Sequence, residues 1–190
     1  MRQNVKIQLL LNILDEVTGR FDELFALKEK LLQETNYKAT HDLLTGLYNR
    51  EAFEKSIESW ITSNKKFTLV FLDLDNFKCV NDNFGHDKGD EILIQTAKIM
   101  RENLKGMDLI GRIGGDEFVM AIKDCDKNCA NHILNIIEDE IKDTFKYFKV
   151  SASIGGVVFP DEAKNYKSLL KKADKKMYKI KETGKGRVLV

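Results

Sequence analysis

Asp116 and Glu117 follow two glycines, Gly114 and Gly115, between short apolar runs at 109–113 and 118–122. That pattern predicts a β-hairpin whose tip carries two adjacent carboxylates. A third acid, Asp73, ends a continuous β-rich apolar run at 67–72, which reads as a buried strand. Carboxylates brought together repel one another and resist desolvation until a cation joins them. An all-oxygen ligand set suits Mg2+ or Mn2+. Two such ions can activate a hydroxyl and neutralise charge on a phosphoryl group. The plainer alternative is a solvated acidic turn, which the flanking strands and the apolar run into Asp73 weigh against.

Other residues offer contacts to a nucleotide. After Asp73 the chain reads Asp75-Asn76-Phe77-Lys78-Cys79-Val80-Asn81, which opens a helix whose free N–H groups suit phosphate. The next stretch, 81–90, is polar and glycine-bearing. The amide of Asn81 and the carboxylate of Asp90 have the donors and acceptors of a guanine edge, because a carboxylate accepts from both N1–H and the 2-amino group. An ordinary loop and N-cap ahead of Ile92 explains the same residues. Lys181 and Lys185 flank Gly184 at the end of the last helical pattern. They complement either the helix dipole or a triphosphate.

The elements that must position these groups fall into two parts. The first, 1–40, holds a proline-free amphipathic helix with a seam of Leu10, Leu14, Val17, Phe21, Leu24 and Leu31. Such a seam pairs with a second copy, or packs the helix on its own domain. The second part, 41–190, alternates strand and helix. Asn49 caps a helix at 50–63, and helices follow at 88–104, 128–145 and 167–182. Strands fall at 67–72, 109–113, 118–122, 150–159 and 188–190, with a bulge or kink at Gly155-Gly156. The middle reads βαββαβ, the ferredoxin-like α+β order. A right-handed crossover then makes the first two strands parallel and brings Asp73 to the hairpin tip.

Composition narrows the partners. The 190 residues carry 31 Lys and Arg against 30 Asp and Glu, a formal net charge of +1. That balance gives no general affinity for nucleic acid, so any phosphate site is local. No run reaches the length of a membrane span. Cys79, Cys125 and Cys129 make an odd count with no secretory leader ahead of them, which reads as free thiols in a cytoplasmic protein. No His or Cys cluster completes a metal site at Cys125 and Cys129.

The ordered motifs resemble one family. Gly114-Gly115-Asp116-Glu117-Phe118 is the signature of GGDEF-domain diguanylate cyclases. Asp42-Leu43-Leu44-Thr45-Gly46-Leu47-Tyr48-Asn49-Arg50 resembles the motif that opens that domain. Phe71-Leu72-Asp73-Leu74-Asp75-Asn76-Phe77-Lys78 is similar to its metal strand, and Asn81-Asp82 with Gly85-His86 and Gly89-Asp90 to its nucleotide segment. Ser153-Ile154-Gly155 and Ala173-Asp174, Met177-Tyr178 and Lys181 resemble its later blocks.

The resemblance spans 41–190 and implies a polymerase-palm-like core that condenses two GTP into cyclic di-GMP in a homodimer. It implies two Mg2+ ions held by Asp73, the Leu74 carbonyl and Asp116, with Glu117 beside them, and Asp116 as general base. By the same resemblance Asn81 and Asp90 contact guanine, and His86 lies in that segment. The N–H groups of Phe77 and Lys78, with Lys181 and Lys185, hold phosphates. Where many members carry R-x-x-D, this chain has Lys105-Gly106-Met107-Asp108, which implies a degenerate inhibitory site. A sensor domain or partner acting through the helix is expected but not visible. The other reading is a non-catalytic GTP or cyclic di-GMP binding module.

Overall fold

The computed structural model describes residues 2–190, without the side chains of 1–5, 9, 10, 13 and 15. It divides into two compact units, Met1–Ala39 and Thr40–Val190. In the first, α1 runs Arg2–Thr40 as one helix. Leu14, Val17, Phe21, Leu24 and Leu31 of the predicted seam are all exposed, at 53–65%. Leu10 of that seam falls among the side chains outside the description.

The second unit is a five-stranded sheet in the order β2-β3-β1-β4-β5. Its elements are α2 (Arg50–Thr62), β1 (Phe67–Asp75), α3 (Phe77–Phe84), α4 (His86–Asn103), β2 (Leu109–Arg112), β3 (Glu117–Lys123), α5 (Lys127–Thr144), β4 (Ser151–Phe159), α6 (Tyr166–Thr183) and β5 (Arg187–Leu189). β1 is central and antiparallel to both β3 and β4. β2 is antiparallel to β3 and hence runs parallel to β1, as the crossover rule requires.

All nine β1 residues are buried because helices cover both faces of the sheet. Val70, Leu72 and Leu74 pack with Val80, Ile92, Ala97, Leu134 and Ile137. Phe67, Leu69 and Phe71 pack with Phe53, Ile57, Trp60, Leu169 and Met177 on the α2 and α6 side. The α+β core is thus the predicted one, extended by β5, which pairs parallel to β4.

Three expectations change. The stretch 81–90 is no loop. α3 ends at Phe84, and Gly85, at φ +85°, closes it through an N–H bond to the Asn81 carbonyl at 3.0 Å. α4 then starts at once, so one left-handed residue turns the chain between two helices. Gly155 and Gly156 make no bulge, since β4 stays in unbroken register with β1 through both. Their role is clearance: a Cβ on Gly155 would strike the Ala173 carbonyl and lie 2.5 Å from the Met177 nitrogen. Glycine lets α6 lie directly on the strand. Finally, Cys125 and Cys129 are not free thiols but a disulfide, leaving Cys79 as the free cysteine among the described residues.

Candidate active site

The site is built at the end of β1, where strand, hairpin and helix meet. Asp73 pairs across the sheet with Glu117 on one side and Ser153 on the other. The neighbouring Leu74 N–H donates to the Asp116 carbonyl at 3.2 Å, fixing the hairpin tip against the strand. Asp73 is buried. Lys181 of α6 reaches it as an ion pair at 2.5 Å. Desolvation, the largest influence, pushes the Asp73 pKa up to about 6; Lys181 opposes this and the charges of Asp116 and Asp75 add to it.

The expected convergence of three acids holds for the backbone but not for the side chains. Glu117 folds back over Gly114, where an added Cβ would strike its Oε2. It also lines a separate cleft with Arg50, Phe71 and Tyr166. Among the described residues no three His, Cys, Asp or Glu side chains are close enough to hold an ion. Beside Asp73 the positive charge in place is the Lys181 ammonium. The donor set still fits a hard divalent cation: its groups are oxygen-only, and Asp73 offers a buried, desolvated carboxylate whose cationic neighbour is Lys181.

Beside Asp73 lies an anion-ready helix start. The first N–H groups of α3, at Phe77 and Lys78, follow Asn76, which sits in the left-handed region and gives no side-chain cap. Its amide is used elsewhere: Nδ2 donates to the Lys149 carbonyl at 2.8 Å, and Oδ1 accepts from Lys185 Nζ at 3.1 Å. Lys185, predicted as a phosphate cation, is therefore held at this helix start.

One helical stretch further on, Asn81 faces α4. A Cβ on Gly89 would strike the Asn81 Oδ1 and sit 3.1 Å from its Cγ. That Oδ1 is buried with no hydrogen-bond partner. Asp90 follows Gly89 and is exposed, as is His86 at the start of α4. The α3–α4 corner thus sets Asn81 against Gly89, the residue just before Asp90.

The sequence reading missed Arg112 and the positioning roles of Asp42 and Asp75. Arg112 donates to the Gly115 carbonyl at 3.1 Å (Nε) and 2.8 Å (Nη2), and Nη1 lies 3.1 Å from both Asp42 oxygens. Asp42 also accepts from the Thr45 N–H at 2.9 Å and hydroxyl at 2.6 Å. Burial pushes the Asp42 pKa up, but the Thr45 and Arg112 bonds outweigh it and hold it below the usual value. The opening motif and the hairpin are therefore one structure. Asp75 is buried and accepts from Ser151, Ser153 and the Gly186 N–H at 2.9–3.0 Å, tying β1 to β4 and to the segment carrying Lys185. No sequence spacing signals the Arg112–Asp42 link or those of Asp75, because the partners lie 70 or more residues away.

Asp108 is committed to its own turn. Its oxygens accept from the Lys105 and Lys123 N–H groups, each at 2.9 Å. Arg101, outside that turn, donates to the Thr45 and Gly46 carbonyls at 3.1 and 2.6 Å.

Residues 39–187 match the family described as "Diguanylate cyclase, GGDEF domain". The chain is 35% identical over 170 residues to the probable diguanylate cyclase DgcE of Escherichia coli, covering 85% of this chain and 15% of that protein. It is 33% identical over 190 residues to the bifunctional diguanylate cyclase/cyclic di-GMP phosphodiesterase MucR of Pseudomonas aeruginosa, covering 95% of this chain and 28% of that protein. It therefore spans a minor part of these relatives. The structure resembles the coiled coil and GGDEF domain of DgcB from Caulobacter crescentus in complex with c-di-GMP. The TM-score is 0.75 at 25% identity, over 90% of this chain and 97% of that one. Diguanylate cyclase SiaD from Pseudomonas aeruginosa, solved with its activator SiaC, gives a TM-score of 0.72 at 25% identity, over 99% and 77%.

Proposed function

This chain belongs to the diguanylate cyclase GGDEF-domain family, and from that premise we propose that it condenses two GTP molecules into cyclic di-GMP. The observation that carries this is a pair of buried oxygens, Asp73 Oδ1 with only the Lys181 ammonium beside it and Asn81 Oδ1 with no hydrogen-bond partner. Asp73 ends β1 just ahead of α3 and Asn81 lies within α3, where a metal-bound phosphate and a guanine would sit.

Each domain holds one GTP. Asn81 and Asp90 read the guanine edge, with His86 beside them. The α3 N–H groups of Phe77 and Lys78, with Lys181 and Lys185, hold the triphosphate. Asp73, the Leu74 carbonyl and Asp116 would hold two Mg2+ ions, with Glu117 beside them. When bound, these ions supply charge neutralisation at the phosphoryl group and acidify the attacking hydroxyl. Asp116 takes the proton of the 3′-hydroxyl, whose oxygen attacks the α-phosphorus of the facing GTP as pyrophosphate leaves. Repeating the step with the roles exchanged closes the ring. Catalysis is mostly positioning of two bound substrates.

Two substrates in two domains require a homodimer. The exposed apolar seam of α1 is the surface that would form it. A sensor domain or partner would act through the same helix. GTP as substrate puts the reaction in the cytoplasm; among the described residues no helix is long and apolar enough to cross a membrane. Feedback inhibition through Lys105 and Asp108 is weak or absent. Lysine lacks the bidentate fork of arginine, and the Asp108 oxygens already serve backbone N–H groups. Titration with cyclic di-GMP, with Lys105→Ala as control, checks this; tight binding that the variant abolishes would contradict it.

The test of the substrate reading is pyrophosphate release from GTP and from ATP with Mg2+. Release from GTP alone is expected, with Asp90→Ala and Asn81→Ala raising KM at least tenfold. Equal release from both nucleotides would overturn the guanine assignment. GTP binding without release points to the non-catalytic binding module.

A further inference from the structure

The Cys125–Cys129 disulfide lies on a part of the fold that the proposed reaction does not use. Cys125 is buried just after β3. Cys129 is exposed in the first turn of α5, where Asp126 caps the helix by accepting the Cys129 N–H at 2.9 Å.

Its setting marks an exchangeable bond rather than a structural staple. The bond joins residues four apart, and so short a link removes little chain entropy from the unfolded state. The turn it spans is already closed by the Asp126 cap and by the Ala130 N–H bond to the Asp126 carbonyl at 2.9 Å. Cys129 is the exposed partner and Cys125 the buried one, so an incoming thiol meets Cys129 first.

Cys129 also shares the wall of a cavity of about 320 Å³ with Lys105, Lys123, Asp108 and Asp124. The Asp108 oxygens are taken by backbone N–H groups, and Lys123 lies 3.8 Å from Asp124. The Lys105 ammonium has no ion pair among the described residues. That cation, on the wall of the same cavity as Cys129, suits a thiol that carries a carboxylate.

We propose that Cys125 and Cys129 form a thiol–disulfide exchange site for a small carboxylate-bearing thiol, with Cys129 as the sulfur attacked. The external thiolate attacks Cys129 Sγ, the Cys125–Cys129 bond breaks, and Cys125 leaves as thiolate and takes a proton. A second external thiolate attacks the external sulfur of the mixed disulfide and releases Cys129. In sum, the protein disulfide and two small thiols become the protein dithiol and one small disulfide. The reverse sequence re-forms the bond and is independent of the cyclase reading.

The test uses the full chain in a Cys79→Ser background, equilibrated natively in glutathione mixtures, acid-quenched and labelled with maleimide. The count is expected to move from no labelled thiols to two as the mixture becomes reducing. With oxidised glutathione, Cys125→Ser is expected to form an adduct at Cys129 at least tenfold faster than Cys129→Ser forms one at Cys125. Lys105→Gln is expected to slow the glutathione adduct at least threefold and leave reaction with the uncharged hydroxyethyl disulfide unchanged. A pair that never oxidises, or stays closed in excess reduced glutathione, overturns the proposal, as do equal adduct rates at the two cysteines. An equal effect of Lys105→Gln on both disulfides overturns the carboxylate-bearing partner.

Discussion

Residue types announced the chemistry more readily than the residues that hold it in place. Asp73 and Asp116 stand out as carboxylates beside apolar runs, whereas Asn81 and Asp90 are singled out by the resemblance of their segment to the family's nucleotide motif. Arg112 does not stand out, since an arginine ahead of a turn is ordinary, and its partner Asp42 is 70 residues away. Arg112→Ala is expected to lower stability by about 1–2 kcal/mol, because it strips bonds from Asp42 and the Gly115 carbonyl. It should also depress turnover by loosening the Asp116 turn. Full turnover with unchanged stability in a denaturant titration would contradict this role. The raised pKa of Asp73 has a definite sign. Its folded-state value, about 6, lies above the ordinary 3.8, so the folded chain binds the extra proton between those values. Without ligands, stability attributable to Asp73 is greatest below about pH 4 and is lost as pH rises through about 6. Melting curves from pH 4 to 7 should show that loss in the parent and a flatter profile in Asp73→Asn. Parallel profiles would remove Asp73 as the titrating group.

At the scale of elements, periodicity and capping located every strand and most helix limits. Asn49 does cap α2, through the Ala52 N–H at 3.0 Å, and Gly184 does end α6. What failed was the reading of glycine and polarity as loop. The stretch 81–90 is helical on both sides of Gly85 because its polar faces look outward while Val80, Ile92 and Leu93 pack inward. Gly155 was taken for a kink because sequence shows the missing side chain but not the α6 backbone that fills its place. Gly155→Ala is expected to destabilise the domain by about 3 kcal/mol or more, since the clash is with main chain and neither neighbour can rotate away. A loss under about 0.5 kcal/mol would show that α6 does not lie directly on β4.

At the scale of the molecule, the proposed reaction would divide its work between the two units. Thr40–Val190 would carry one set of base, phosphate and guanine contacts, and the helix has an exposed row of apolar side chains. The helix was legible from its spacing and its lack of proline, and its exposed apolar side chains fit the pairing proposed for it. Removing residues 1–38 is expected to leave the fold intact and cut turnover at least tenfold at dilute protein, with recovery at high concentration. Equal activity when dilute would show that the catalytic units pair without the helix. The central claim is tested most directly by incubating the parent chain and Asp116→Ala with GTP and Mg2+ and separating the nucleotides. Cyclic di-GMP from the parent, and at least a hundredfold less from a variant that still binds GTP, is the expected result. Equal product from both, or none from the parent even when it is forced to dimerise at high concentration, would contradict it.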